Sequence, residues 1–211
     1  QKNVAVNISA LDNDTDADDD TLTVTSNTDP SHGTIKLNDD GSFTYTPDAD
    51  YTGSDSFDYT ISDGQGGTDT ATVSITINAP PDATDDTETT QKNVAVNISA
   101  LDNDTDADGG TLTVTSNTDP AHGSVKLNDD GSFTYTPDTD YTGSDSFDYT
   151  ISDGNGGTDT ATVSITINAP PTADDQTVTT EENTGKTITL SGSDPDGDSL
   201  SYSITTLPAN G

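Results

Sequence analysis

Residues 1–80 return as residues 91–170 with seven substitutions, a period of 90 residues. Whatever one copy folds into, the other must fold into as well. A period this long exceeds the roughly 20–50 residues of a solenoid unit and suits a whole domain. A third copy begins near Ala169 and runs on to Gly211. The expected organisation is therefore 1–79, a domain lacking its first strand; 80–169, a complete one; and 170–211, the opening part of a third. Because the chain opens on Gln1 and has no initiator Met, it reads as an excerpt from a longer array.

Within a copy the apolar residues alternate. In the second, Val94, Val96 and Ile98 fall on one face of an expected strand over 93–99. Leu112 and Val114 mark 111–116, and a further strand occupies 124–127. Phe133 and Tyr135 point inward from 132–136, and Phe147, Tyr149 and Ile151 from 146–152. The last strand, 158–168, carries Ala161, Val163, Ile165 and Ile167, and a short first strand lies near 87–90. Asn128–Gly131 signals a hairpin whose glycine takes positive φ, whereas 153–157, AspGlyAsnGlyGly, reads as a loose turn. Seven short strands, regular turn signals and no helical period predict an all-β fold of tandem seven-stranded Greek-key β-sandwiches. AsnAlaProPro, at 78–81 and 168–171, restricts the backbone between copies and predicts a semi-rigid joint.

Composition narrows the function classes. Apolar residues make up 27% of the chain, low enough to raise disorder, but disorder does not place those residues in strict alternation. The expectation is a thin-cored, heavily solvated sandwich. The absence of Cys excludes disulfides, zinc–thiolate sites and thiol catalysis, so the thin core calls for another brace. With 39 acids against 5 Lys and Arg, the formal charge of −34 excludes nucleic-acid binding through phosphate neutralisation. No apolar run approaches a membrane span, so no membrane insertion is expected in this segment.

The acids cluster. LeuAspAsnAspThrAspAlaAsp occurs at 11–18 and again at 101–108, and AspProAspGlyAsp at 194–198. Carboxylates spaced two apart on a turning loop repel one another unless a cation sits among them, and Ca²⁺ accepts six to eight oxygen ligands in flexible geometry. The candidate ligands are Asp14, Asp16 and Asp18, then Asp104, Asp106 and Asp108, then Asp194, Asp196 and Asp198. The rival reading is an acidic loop that only keeps the protein solvated. An EF-hand is excluded, because the twelfth position is Thr115 and no helices flank the loop.

No enzyme is expected. His32 and His122 sit in AspProSerHisGly and AspProAlaHisGly and read as turn residues. No Gly-x-Ser-x-Gly elbow occurs, and the paired carboxylates lack an apolar pocket to separate their pKa values. An isopeptide crosslink between Lys92 and Asn168 is a further chemistry to weigh, and it requires both to be buried with a carboxylate.

These motifs resemble cadherin repeats, and more closely the bacterial cadherin-like or Ig-like repeats of large secreted adhesins of the RTX, type I secreted kind. Glu182-Asn183 is similar to the Glu-Asn pair near the first cadherin strand. Asp194-Pro-Asp196, followed by SerLeuSerTyrSerIle, is similar to the cadherin Asp-x-Asp, and it maps onto Asp106 and Asp108 and onto Asp16 and Asp18. The cadherin Leu-Asp-Arg-Glu is echoed by ProAspAlaAsp and ProAspThrAsp, giving Asp48, Asp50, Asp138 and Asp140. The Ala-x-Asp-x-Gly motif is echoed at Asp63 and Asp153. The resemblance implies that Asp48 and Asp50 of one copy and Asp106, Asp108 and Asp153 of the next hold Ca²⁺ together with Asn78 and Asp82. Asn168 is the counterpart of Asn78. The chain departs from that pattern in its reduced linker acids, and in Lys2 and Lys92, which stand where Glu182 stands. One or two ions per joint are expected.

The implied function is that of a structural extender, a calcium-rigidified rod that projects a distal binding domain from the bacterial cell surface in adhesion or biofilm formation. Its expected partners are the neighbouring repeats of the same chain, with lateral self-association as an open alternative. Two other readings remain: a carbohydrate-binding module, which needs an exposed aromatic platform, and homophilic calcium-dependent adhesion or filament formation.

Overall fold

A computed structural model describes residues 1–207. The expected third copy, 170–211, thus ends on four residues outside the described ones. The chain divides into two compact units: residues 1–83 with 103–115 and 150–160, and residues 84–102 with 116–149 and 161–211. The segments 103–115 and 150–160, which belong to the second sequence copy, are therefore part of the first unit.

The first unit contains β1 (Val6–Ile8), a 3-10 turn (Ala10–Asn13), β2 (Thr23–Asn27), β3 (Gly33–Leu37), β4 (Phe43–Pro47), β5 (Gly53–Ser62) and β6 (Thr68–Ile77). Two three-stranded antiparallel sheets result, ordered β1-β4-β3 and β2-β5-β6. Alternation on β4 and β5 sends Phe43, Phe57 and Tyr59 into one cluster with Ala10. Phe43 meets Phe57 edge-on at a centroid separation of 4.9 Å, the arrangement that ring quadrupoles favour.

The second unit holds β7 (Asp86–Gln91), β8 (Val96–Ile98), β10 (Gly123–Leu127), β11 (Phe133–Pro137), β14 (Thr172–Ala173) and β15 (Gly192–Ser193). Strands β9 (Thr113–Asn117), β12 (Gly143–Ser152) and β13 (Thr158–Asn168) have residues in both units. The sheets are β10-β11-β8 and β7-β13-β12-β9, so β7 to β13 supply the seven strands of a Greek-key sandwich. Strand β7 runs parallel to β13, with Val163 opposite Asp86 and Ile167 opposite Thr90. Phe133, Tyr135, Tyr149 and Ile167 are completely buried.

Two local expectations are corrected. The strand expected over 93–99 is only Val96–Ile98, because Asn93 adopts a left-handed φ of 63° and turns the chain, leaving Val94 half exposed. The loop 153–157 is not loose: the Asp153 carboxylate accepts the N–H groups of Asn155 at 2.7 Å and Gly157 at 3.0 Å.

One difference between the copies is not a difference of sequence. Residues 53–77 and 143–167 differ only at Gln65 and Asn155. Yet Val163 and Ile165 are buried on β13, while their counterparts Val73 and Ile75 on β6 are half-buried and Ala71 is exposed. The cause is β7, which covers the outer edge of β13. Among the described residues β6 has β5 as its only strand neighbour.

Candidate functional site

The three acidic loops share one local geometry. In each, the first acid of the Asp-x-Asp pair folds back on its own chain. Asp16 Oδ1 accepts the N–H groups of Asp18 (2.8 Å) and Asp20 (3.1 Å). Asp106 Oδ1 does the same for Asp108 and Gly110, both at 2.9 Å, and Asp194 Oδ1 for Asp196 and Asp198. Small and acidic residues suit this turn because a short carboxylate can cap several N–H groups at once.

The second acid of the pair reaches the inter-copy linker. Asp108 Oδ2 accepts the N–H of Ala79 at 2.7 Å, and Asp196 Oδ2 accepts that of Ala169. Each alanine precedes the two prolines, which have no N–H to offer. Within the first unit the linker is gripped further. Asp82 and Thr105 exchange backbone hydrogen bonds of 2.8 and 3.0 Å, and Asn78 Nδ2 donates to Asp153 Oδ2 at 2.6 Å. Asp153 is buried, although the sequence places it in a turn. Burial raises the energy of its charged form, but the Asn78 amide and the N–H groups of Asn155 and Gly157 outweigh that, holding its pKa below the usual carboxylate value.

Beside this clamp lies an unsatisfied group. Asp106 Oδ2 is buried and has no hydrogen-bond partner among the described residues. A Cβ built on Gly110 would sit 3.4 Å from Asp106 Oδ1 and 3.5 Å from Asp153 Cβ, so the two acids flank the same small space. The structure thus brings together Asn78, Ala79, Asp106, Asp108 and Asp153, with Asp82 on the adjoining bridge.

The other candidate residues have different surroundings. Asp50 accepts from Asn3 Nδ2 at 3.2 Å and lies 3.4 Å from the Lys2 ammonium. Asp140 repeats this with Asn93 and Lys92, at 3.3 Å for each. The asparagine hydrogen bonds, and then the lysines, lower both carboxyl pKa values. Asp48 and Asp138 are bound through their own N–H groups to the carbonyls of His32 and His122. Asp14 Oδ2 accepts the Tyr59 hydroxyl at 2.8 Å, and Asp104 is half-buried in the corresponding loop. Asp63 accepts the N–H groups of Gln65, Gly66 and Gly67. Asn168 donates to the carbonyl of Ala169, and the Lys92 ammonium, about a third exposed, faces Asp140 (side-chain exposure 34%). The buried Lys–Asn–carboxylate triad of an isopeptide bond is not assembled from these residues. Among the described residues no three His, Cys, Asp or Glu are grouped so as to hold a metal ion.

Two carboxylates escaped the sequence reading. Asp55 accepts the N–H groups of Ser31, His32 and Ser56 and the Tyr45 hydroxyl at 2.9 Å, and Asp145 occupies the same place in the second copy. The signal was present: Asp55, Phe57 and Tyr59 share one parity on β5, so that aspartate had to face inward.

A family model described as Bacterial Ig domain matches residues 1–76 and 78–166. The chain belongs to the bacterial Ig domain family. Comparison with curated proteins finds no match. Among solved structures, these bacterial Ig repeats resemble an endo-fucoidan hydrolase of glycoside hydrolase family 107 at 22% identity and a TM-score of 0.30. That match covers 71% of this chain and 24% of the other. The human desmocollin-1 ectodomain is similar at 13% identity and a TM-score of 0.36, over 73% of this chain and 36% of that one. The tandem Ig repeats of Dlar match at 11% identity and a TM-score of 0.29, over 72% and 84% of the two chains. The chain thus spans about a quarter of the length of the hydrolase it matches. Bacterial Ig domains are commonly extracellular structural repeats, and here two stand in tandem. Among the described residues no helix is long and apolar enough to cross a membrane.

Proposed function

We propose that these bacterial Ig repeats form a structural spacer of a cell-surface adhesin, stiffened by Ca²⁺ at the linker between successive copies and serving no catalytic step. The observation that carries this reading is the buried, partnerless Asp106 Oδ2 beside Asp153, Asp108 and the Asn78–Ala79 linker. Leaving a buried carboxylate oxygen unpaired costs at least about 1–3 kcal/mol, and a hard cation that prefers oxygen ligands removes that cost. The described residues hold no ready-made group of three acids, so Asp106 and Asp153 would take the ion first, with Asp108, Asn78 and the adjoining Asp82 drawn in on binding. The ion would supply charge neutralisation in a chain of net charge −34, in which acids crowd both the linker and the loops that grip it. An array of this kind would leave a low-calcium cytoplasm pliable and stiffen outside the cell, holding a distal binding domain away from the surface. Asp50 and Asp140 are already matched by Lys2 and Lys92, which supports one or two ions per joint. The carbohydrate-binding alternative lacks support: among the described aromatics Tyr202 is the exposed one, whereas Tyr51 and Tyr141 lie stacked on His32 and His122 at 4.1 Å.

The test is thermal unfolding of this chain in millimolar calcium and in chelator, with small-angle scattering under both conditions. Binding to the folded form alone at a hundred times Kd adds about 2.7 kcal/mol, so calcium should raise Tm measurably in the wild type and much less in Asp106→Asn. An unchanged Tm and maximum dimension in the wild type would sink the calcium reading, and a calorimetric count of three ions per joint would overturn the expectation of one or two.

A further inference from the structure

We infer that Asn155 is a site of spontaneous deamidation, closing on the Gly156 nitrogen, and that its β-linked product loosens the turn that grips the linker. Asparagine is thermolabile, and a glycine after it, having no Cβ, leaves the attacking nitrogen unhindered. The chain has two Asn–Gly pairs, at 155–156 and 210–211, and the second lies outside the described residues.

What sets Asn155 apart is the state of the next N–H. Asp–Gly pairs can cyclise by the same route, and the chain has six of them. In every one the glycine N–H is already committed. Gly41, Gly109, Gly131 and Gly197 donate to main-chain carbonyls, and Gly64 and Gly154 donate to the hydroxyls of Ser62 and Ser152, all at 3.1 or 3.2 Å. An ionised carboxylate is a poor electrophile besides. The matching turn of the first copy has Gln65 in place of Asn155, and Gly66 there donates to Asp63 Oδ1 at 3.0 Å. In the 153–157 turn the N–H groups of Asn155 and Gly157 bind Asp153, while that of Gly156 has no partner among the described residues. Asn155 is exposed, and its bonds run through its main-chain N–H and carbonyl, which leaves the side-chain amide free to react.

The Gly156 nitrogen attacks the side-chain carbonyl carbon of Asn155 and forms a new C–N bond. The bond from that carbon to the amide nitrogen breaks, and ammonia leaves with the glycine proton. Water then opens the resulting succinimide. Attack at its main-chain carbonyl gives β-linked isoaspartate, and attack at the other carbonyl gives ordinary aspartate. The balance is one water in and one ammonia out.

Both products add a negative charge to a chain already at −34. The β-linked one also lengthens the main chain between the N–H groups of residues 155 and 157, which bond Asp153 Oδ1 at 2.7 and 3.0 Å. That turn has little slack: a Cβ at Gly157 would collide with the Asp153 carboxylate and lie 2.8 Å from Pro80 Cα. The added length therefore pulls on the carboxylate that Asn78 holds at 2.6 Å.

The test is to age the full chain in warm, mildly alkaline buffer with chelator and map its peptides by mass spectrometry. Asn155 should convert to a mixture of isoaspartate and aspartate sooner than Asn128, with Gln65 intact. Conversion no faster than that of Asn128 would overturn the site. Urea unfolding reads the consequence. The aged wild type should unfold at a lower midpoint than the fresh protein. Asn155→Gln, whose turn the first copy already builds, should lose less on the same ageing, and it carries any contribution from Asn210. Fresh Asn155→Asp, with the charge but not the β link, should stay close to the fresh wild type. An aged wild type that loses no more than Asn155→Gln, or an Asn155→Asp loss as large as that of the aged protein, would overturn the loosening by the β link. Because calcium is chelated throughout, the outcome does not depend on the metal reading.

Discussion

Asn78 Nδ2 meets Asp153 Oδ2 across 2.6 Å, joining two buried residues 75 positions apart and tying the end of one copy to a turn of the next. Its counterpart turn offers an internal control, since Asp63 holds the same loop through backbone N–H groups alone and is only half-buried. Asn78→Ala, which leaves a buried carboxylate short of a donor, should cost about 1.5–3 kcal/mol. Asp63→Ala should cost about 1 kcal/mol. Urea unfolding in chelator compares the two, and equal losses would mean that the linker bond contributes nothing beyond the loop.

The buried Tyr45–Asp55 pair predicts the acid response. Burial disfavours the charged form of Asp55, but the Tyr45 hydroxyl and three backbone N–H groups overcome it, and its pKa falls below 3.8 in the folded chain. A lowered folded pKa means that the unfolded chain takes up protons first. The associated stability is complete above the ordinary carboxylate value and is lost as pH drops through the lowered one. Asp153 behaves alike. Over the same range the repulsion within a −34 chain declines, so stability should hold from pH 7 to 5 and then fall steeply below about pH 4. Asp55→Asn should weaken the fold at pH 7 and flatten that acid limb. A wild-type Tm that rises steadily to pH 3 would contradict the assignment. Tyr59, buried and bonded to Asp14, is pushed up to about 12 and should not ionise below pH 11 in an absorbance titration.

Gly33 and Gly123 should tolerate no side chain. A Cβ at Gly123 would lie 2.6 Å from the Thr136 carbonyl and 2.8 Å from the Tyr135 ring, and at Gly33 the corresponding distances are 2.6 and 2.7 Å. Backbone and a buried ring cannot both move aside, so Gly123→Ala should cost about 2–3 kcal/mol. Gly64 has nothing within 4 Å but a φ of +74°, and Gly64→Ala should cost only the backbone strain, about 1–2 kcal/mol. Chemical denaturation of the two variants separates crowding from conformation.

Lys92→Glu installs in the second copy the residue found at 182. The Lys92–Asp140 contact then turns repulsive, so Tm in chelator should fall. If ammonium and Ca²⁺ compete for the same acids, titration calorimetry of Lys92→Glu should count more calcium than the wild type. An unchanged count would confine Lys92 to a surface role.

Alternation made most of the fold legible. Phe133, Tyr135, Phe147 and Tyr149 are buried as their parity requires, and the strand expected over 158–168 is β13 to the residue. Alternation could not reveal that Asn93 takes a left-handed φ and ends the pattern at Val94, because that depends on one backbone angle rather than on side-chain polarity. The parallel pairing of β7 with β13 was hidden for a related reason: 86–91 is Thr-rich, holds no apolar residue, and draws its place from its neighbour's edge. At the candidate site, spacing identified the Asp-x-Asp loops, but the burial of Asp153 needs Asn78 to be brought against it, and Pro80 against its turn at Gly157, from another copy. Local pattern carries no such long-range information.

The strand β7 opens the second domain in sequence and closes its sheet in space, lying parallel to the last strand, β13. The two ends of one repeat are therefore held side by side. An unequal recombination between the two matching tracts inserts or deletes 90 residues wherever the crossover falls, and each product still has one β7-like lead-in for every later β13-like strand. Such a gene can lengthen or shorten its array in single steps without ever creating a half-built sandwich in the interior. Its length is free to vary between lineages while the joint chemistry stays constant.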